Sequence, residues 1–283
     1  ARLIIDTPPA VTGHPAPSTI CNGNNTLFSV TATGTDLTYQ WQVNNGSGWS
    51  NITNVGIYSN ATTSTLNLTG ATTAVHMFKY RCVVTGKCTP PATSNDATLN
   101  INTAPAVSMH PVSTNICPGG NTSFGITATG AGLTYQWEVN NGLGWTSLSN
   151  GGIYSNVTTA TLNLTGATAG VNGFQYHCVV NGTCFPSTTS NAAVLTINTL
   201  PAISAGPINS TICLNGNTSF SVTATGTGIT YQWQSSVNGI AWSSLSNNVT
   251  YAGVTSNTLN ITSASSNLNG ILYRCVVSGT CSP

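Results

Sequence analysis

The residues best equipped for chemistry in this chain are its nine cysteines, and they recur at fixed intervals. Cys21, Cys117 and Cys213 lie 96 apart, Cys82, Cys178 and Cys275 lie 96 and 97 apart, and Cys88, Cys184 and Cys281 each follow six residues later. Such thiols can ligate a metal, act as nucleophiles or pair as disulfides. A zinc site is not expected, because the spacing from Cys82 to Cys88 exceeds the short ligand spacing of zinc sites and no histidine recurs beside it. Of four histidines, only His14 and His110 are equivalent, and Gly206 takes their place in the third copy; His76 and His177 stand alone. Asp6, Asp36, Asp96 and Glu138 occupy four different places in the repeat, so no carboxylate pair recurs for acid–base work. Serine is abundant, but no nucleophile-elbow motif accompanies it. The expectation is no catalytic residues, no metal, no cofactor and no enzyme.

Composition narrows the class further. Only 3% of the 283 residues are charged, with five basic side chains in all, against a usual share near ~25%. A surface that tracks nucleic-acid phosphates needs many more. The hydrophobic share of 40% suffices for a core, and no apolar run approaches the ~18 residues of a membrane span. Threonine, valine, isoleucine and tyrosine favour strands, while the 33 asparagines and 29 glycines favour turns.

The elements that position the cysteines are three copies of one module. The segment Thr38–Trp49, TYQWQVNNGSGW, returns at Thr134–Trp145 and at Thr230–Trp242. Within the first copy, Phe28, Val30 and Ala32 alternate, as do Leu37, Tyr39, Trp41 and Val43, and later Leu66 and Leu68, Phe78, Tyr80 and Cys82, and Leu99 and Ile101. Period-two alternation in short runs between turn signals predicts antiparallel strands with one buried face. About seven such strands in ~100 residues around a central tryptophan predict a two-sheet sandwich, with a short helical turn within residues 71–77.

Trp41, Trp137 and Trp233 follow the first cysteine of each copy by about 20 residues, and Tyr80, Tyr176 and Tyr273 each stand two residues before a cysteine. This pattern resembles the immunoglobulin-like fold and its tyrosine corner, and the wording of the whole repeat is similar to bacterial immunoglobulin-like repeats of large secreted surface proteins. The resemblance implies an all-β chain of three tandem sandwiches, with the three tryptophans and three tyrosines in the cores, an extracellular site and adhesive or scaffolding roles. It implies no catalytic residue. One departure stands out: Val30, Ile126 and Val222 take the place of the usual second-strand cysteine, and Cys21 precedes that strand. Two pairings therefore stay open. Cys21 can join Cys82 within a module, leaving Cys88 over, or Cys184 of the next module, leaving Cys82 a buried thiol.

The module boundaries expected are 8–103, 104–199 and 200–283, with 1–7 as a separate strand. Modules one and two finish with SNDATLNIN and SNAAVLTIN, whereas the third breaks off after CVVSGTCSP. Conversely, Leu3, Ile4, Ile5, Asp6 and Thr7 align with Leu195, Thr196, Ile197, Asn198 and Thr199. The opening segment thus reads as a last strand with no module before it. Inserted into the third module of another copy, Leu3 and Ile5 would each gain about 1.5–3 kcal/mol on full burial. Head-to-tail donation of this kind builds a filament. The expectation is a structural, self-associating filament subunit. The alternative is a window of a longer cell-surface adhesin array that binds glycans or other surface ligands, in which case Pro283 runs on covalently to a further copy.

Thirteen Asn-x-Ser/Thr sequons are present. Asn67, Asn163 and Asn260, at one equivalent strand position, and Asn24, Asn121 and Asn217, in turns, are the candidate glycosylation sites. Trp49, Trp145 and Trp242, after a glycine-rich turn, are candidates for stacking on a bound sugar.

Overall fold

The alternating segments form strands throughout. In a computed structural model the described residues are 1–282; Pro283, from which the chain runs on in the alternative reading, lies outside them. Module one runs β1 (Ala10–Gly13), β2 (Ser18–Cys21), β3 (Asn24–Ser29), β4 (Thr31–Thr33), β5 (Thr38–Asn44), β6 (Trp49–Asn51), β7 (Tyr58–Ser59), β8 (Thr65–Ala71), β9 (Lys79–Thr85), β10 (Ala92–Thr93) and β11 (Ala97–Asn102). A single 3-10 turn, Thr73–Val75, sits where the helical turn was expected. The main sheet has the order β2-β11-β9-β5-β6 with β10 on β9, and it faces a sheet of order β3-β8-β7. There are eleven segments rather than the seven expected, since short pieces such as β6, β7 and β10 add to the count and the first strand is broken. Pro15 and Pro17 cannot donate ladder hydrogen bonds. The chain therefore leaves its pairing with β4 at β1 and resumes as β2 along β11.

The core between the sheets contains Phe28, Trp41, Leu66, Leu68, Tyr80, Cys82, Val84 and Leu99, all essentially without solvent contact. Trp41 is fixed by its indole N–H, which donates to the Thr63 carbonyl at 2.9 Å. Tyr80 stacks on Phe28 at 4.8 Å, and its hydroxyl meets that of Tyr58 at 3.3 Å. The same devices return in the second module, with Trp137 donating to Thr159 and Tyr176 stacked on Phe124. Val30, Ile126 and Val222 are buried where an inter-sheet cysteine was missing from the sequence.

By compactness the chain divides into two units, one of residues 1–109, 126–135 and 179–190, the other of residues 110–125, 136–178 and 191–283. The first holds all of module one and the second all of module three.

Strand β11 sits in the middle of its sheet, parallel to β2 and antiparallel to β9. Its counterpart Ala193–Ile197 does the same in module two. In module three, the sheet built on Thr230–Ser236 and Leu272–Ser278 has only three strands, and no described strand occupies the place of β11 or β2. The consequence is a correction to the expected core. Tyr273, unlike Tyr80 and Tyr176, is only half-buried, as is Phe220 beneath it, while Trp233 remains covered.

Burial sets the expected effect of truncation along this strand. Leu99→Ala should lower the stability of module one by about 2–5 kcal/mol, since Leu99 is fully buried. In the single chain Leu3→Ala should change nothing measurable, since Leu3 is 84% exposed. Denaturant unfolding of the two variants checks both.

Candidate functional site

The open place in module three is a groove of about 580 Å³. Its walls include Ile212, Phe220, Ile261, Leu268, Asn269 and Tyr273. In modules one and two the corresponding place is filled by a strand of the chain itself. In module one, Leu99 N–H donates to the Phe78 carbonyl at 2.9 Å, its carbonyl accepts from Met77 N–H at 2.8 Å, and Ile101 N–H donates to His76 Nδ1 at 2.9 Å. In module two, Leu195 makes the same pair of bonds with Phe174 and Gly173, and Ile197 N–H donates to Asn172 Oδ1 at 2.8 Å. The corresponding groups in module three are the Ile271 carbonyl, Gly270 N–H and Asn269 Oδ1, and all three residues line the groove.

The opening segment holds its apolar side chains in the open. Ala1–Thr7 forms no strand, and Leu3, Ile4 and Ile5 are among the most exposed apolar residues in the chain. The segment is nevertheless fastened at its far end. Thr7 N–H donates to Thr35 Oγ1 at 3.0 Å, and the Thr7 carbonyl accepts from Thr35 N–H at 3.1 Å. Thr199 makes the same two bonds with Thr227. The prolines that follow are seated against glycines. A Cβ on Gly34 would meet Pro9 Cα at 3.0 Å, and one on Gly226 would meet Pro201 Cα at 3.0 Å. Asp6 is held by Lys87, with Nζ 2.8 Å from Oδ2, and this contact holds the Lys87 ammonium above its usual range.

Two disulfides are present, Cys21–Cys184 and Cys117–Cys281. Of the two pairings the sequence left open, the structure thus holds the one between modules. Cys21 cannot reach Cys82. Both belong to one sheet, two strands apart, and Cys21 lies level with Asn102 while Tyr80 lies level with Ala97. That register sets the two cysteines about seven residues, or roughly 23 Å, apart along the strands, against the 4.4–6.8 Å that a disulfide spans. Cys82, Cys178 and Cys275 are buried on the inner face of their strands. Burial pushes the Cys82 and Cys178 thiols up to about 11, and the Cys275 thiol also upward. Cys88 is half-exposed and Cys213 is exposed, and neither is bonded.

The other candidates have structural partners. Trp49 and Trp242 are each capped by an arginine, Arg81 at 4.1 Å and Arg274 at 4.2 Å from the ring centre. Trp145 is stacked on His177 at 3.6 Å, and His177 bonds Glu138 at 2.9 Å, which holds that carboxyl below its usual range. One face of each ring is therefore taken. Nothing in the spacing announced these stacks, which depend on Arg81 lying abreast of Gln42 on the paired strand. His14 and His110 accept backbone N–H bonds from Asn95 and Asn191 through Nδ1. Among the described residues, no group of three or more His, Cys, Asp or Glu converges as a metal site.

Asn67 and Asn163 are half-buried on the outer face of their strands, and Asn24, Asn121, Asn217 and Asn260 are exposed. The turn equivalence needs correction. Asn121 and Asn217 accept the backbone N–H of Gly166 and Ser263 through Oδ1, and their counterpart in module one is Asn25, bonded to Gly70, rather than Asn24.

No protein-family model matches the chain, and no curated protein matches it. Solved structures do. A three-immunoglobulin-domain fragment from the I-band of titin aligns with a TM-score of 0.58 at 16% identity, over 96% of this chain and 94% of its own. Sidekick-1 immunoglobulin domains 1–5 align with a TM-score of 0.54 at 20% identity, over 98% of this chain and 57% of that one. The likeness establishes the fold: tandem immunoglobulin-like β-sandwiches.

Thiol exposure yields a test in the monomeric, unreduced chain at pH 8. Iodoacetamide should modify Cys213 rapidly and leave Cys82 and Cys275 untouched until the protein is unfolded. Mass spectrometry of the digested chain reads the sites, and labelling of Cys82 as fast as Cys213 would contradict the burial described.

Proposed function

We propose that this chain is a structural subunit of an extracellular linear polymer, in which Ala1–Thr7 of one copy enters the open third module of another. The observation that carries the reading is the match between groove and segment. The groove presents Asn269, Gly270 and Ile271 where modules one and two bind a strand of Leu-x-Ile pattern, and the exposed segment is Leu3-Ile4-Ile5. In the register of β11, Leu3 would take the place of Leu99 and Ile5 that of Ile101, both buried in module one. Full burial of these two side chains contributes about 3–6 kcal/mol together, and the ladder hydrogen bonds of an added strand supply the alignment. Because the segment and the groove belong to different ends of the repeat, the contact is head-to-tail and propagates.

Disulfides support a site outside the reducing cytosol. A surface with 3% charged residues falls far below the share that favours solubility of free monomers, and burial in a fibre or coverage by glycans meets that deficit. On the glycan reading, Asn67, Asn163 and Asn260 are the first acceptors, and the intact mass of material from its source should exceed 29.0 kDa; a mass equal to the bare chain would end that part alone.

Deleting Ala1–Thr7, or changing Leu3 and Ile5 together to Asp, should abolish filaments seen by electron microscopy. Appending a second ARLIIDT strand after Pro283 through a flexible loop should give a stable monomer. Normal polymerisation of the deleted protein would contradict the proposal and assign the groove to a continuation of the same polypeptide.

A further inference from the structure

The cystine pattern extends one step past the pairs within the chain. Cys21 at the end of β2 bonds Cys184, which lies in the loop after the β9-type strand of the following module. Cys117 bonds Cys281 in the same way. Each bond thus joins the first cysteine of one module to the third cysteine of the next. Applied to module three, the rule names Cys213, and the third cysteine left over is Cys88 of module one. These are also the two unbonded cysteines that reach solvent.

We infer that Cys213 of one copy forms a disulfide with Cys88 of a second copy, locking the strand-exchange junction covalently. The inference rests on the polymer reading above. Its geometry follows from register. Asn102 lies directly beside Cys21 on the parallel strand β2. The residue equivalent to Asn102 in the opening segment is Asp6, so a strand donated in that register sets Asp6 of the incoming copy beside Cys213. Asp6 is already bonded to Lys87 of its own copy at 2.8 Å, and Cys88 is the next residue. In the bonded pair within the chain, the carbonyl of Thr183, the counterpart of Lys87, lies 3.9 Å from Cys21 Sγ. The segment that fills the groove therefore brings its own Cys88 to Cys213, and the ion pair holds it there.

The chemistry is a two-electron oxidation. It needs a disulfide-bearing oxidant of the thiol–disulfide exchange class, as formation of the two intrachain bonds also does. The Cys213 thiolate attacks one sulfur of the oxidant, forming a mixed disulfide and releasing one thiol. The Cys88 thiolate of the second copy then attacks Cys213 Sγ, forming the intermolecular bond and releasing the second thiol. Two protons leave the cysteines and are taken up by the two thiols of the reduced oxidant.

The test uses full-length filaments isolated without reductant, alkylated with iodoacetamide and denatured. A non-reducing gel should show a ladder at multiples of the 29.0 kDa chain, lost completely on adding dithiothreitol, and digestion should yield a peptide linking Cys213 to Cys88. Cys213→Ser and Cys88→Ser should each remove the ladder while filaments remain visible by electron microscopy. Filaments that denature to single chains with Cys213 and Cys88 alkylated would overturn the intermolecular bond and leave strand exchange standing. A ladder linked through any other cysteine would also overturn it. Absence of filaments in the wild-type protein would overturn both proposals.

Discussion

Everything in this protein turns on the last strand of the repeat. β11 is not an edge but the interior of the main sheet, held by β2 on one side and β9 on the other. Its inward residues Ala97, Leu99 and Ile101 close the core over Tyr80 and Cys82, and its backbone then runs on into the following module. One segment thus supplies both a wall of one sandwich and the tether to the next. Where no described strand takes that place, Tyr273 and Phe220 lose their cover and a groove opens. An open groove with unpaired strand edges is a place where a strand can add, and Ala1–Thr7, which itself forms no strand, holds Leu3, Ile4 and Ile5 exposed.

The stabilising vocabulary is unusual because charge is nearly absent. Side-chain amides and hydroxyls take over where ion pairs would normally stand. Gln40 and its counterparts Gln136 and Gln232 bridge two backbone carbonyls each, and Asn25, Asn121 and Asn217 tie the start of one strand of the smaller sheet to the end of the strand it pairs with. Cystines do the rest. A crosslink closing a loop of 163 residues removes chain entropy from the unfolded state equivalent to about 5 kcal/mol in the simplest account. Both crosslinks lie at the ends of modules rather than across their cores, so they fasten neighbours and leave the interiors to Trp41, Tyr80 and the aliphatic residues.

The strands and the cores of the first two repeats were legible because a half-buried strand writes its orientation at every second residue: Trp41, Tyr80, Leu66 and Leu99 all face inward as the alternation demands. The match of Leu3 and Ile5 to Leu195 and Ile197 is a likeness of sequence, since Ala1–Thr7 forms no strand of its own. The disulfide partners were not. Choosing between Cys82 and Cys184 for Cys21 requires knowing that β2 pairs in parallel with β11, a long-range register that alternation does not encode. The stacking of Arg81 on Trp49 was equally hidden, because it depends on which residues of β5, β6 and β9 lie abreast. Asn24 was mistaken for Asn25 since the two adjacent asparagines open the same strand and only the bond to Gly70 separates them.

The central claim is that the third module is built to receive the segment Ala1–Thr7, and hydrogen exchange reads it most directly. The chain lacking residues 1–7 is incubated in deuterium oxide with and without the synthetic peptide ARLIIDT, and amide exchange is followed by mass spectrometry. Added peptide should slow exchange in residues 207–213 and 268–275 and leave the corresponding parts of modules one and two, already filled by their own strands, unchanged. Exchange in those two stretches that is indifferent to the peptide, at concentrations where a scrambled peptide is equally without effect, would contradict it.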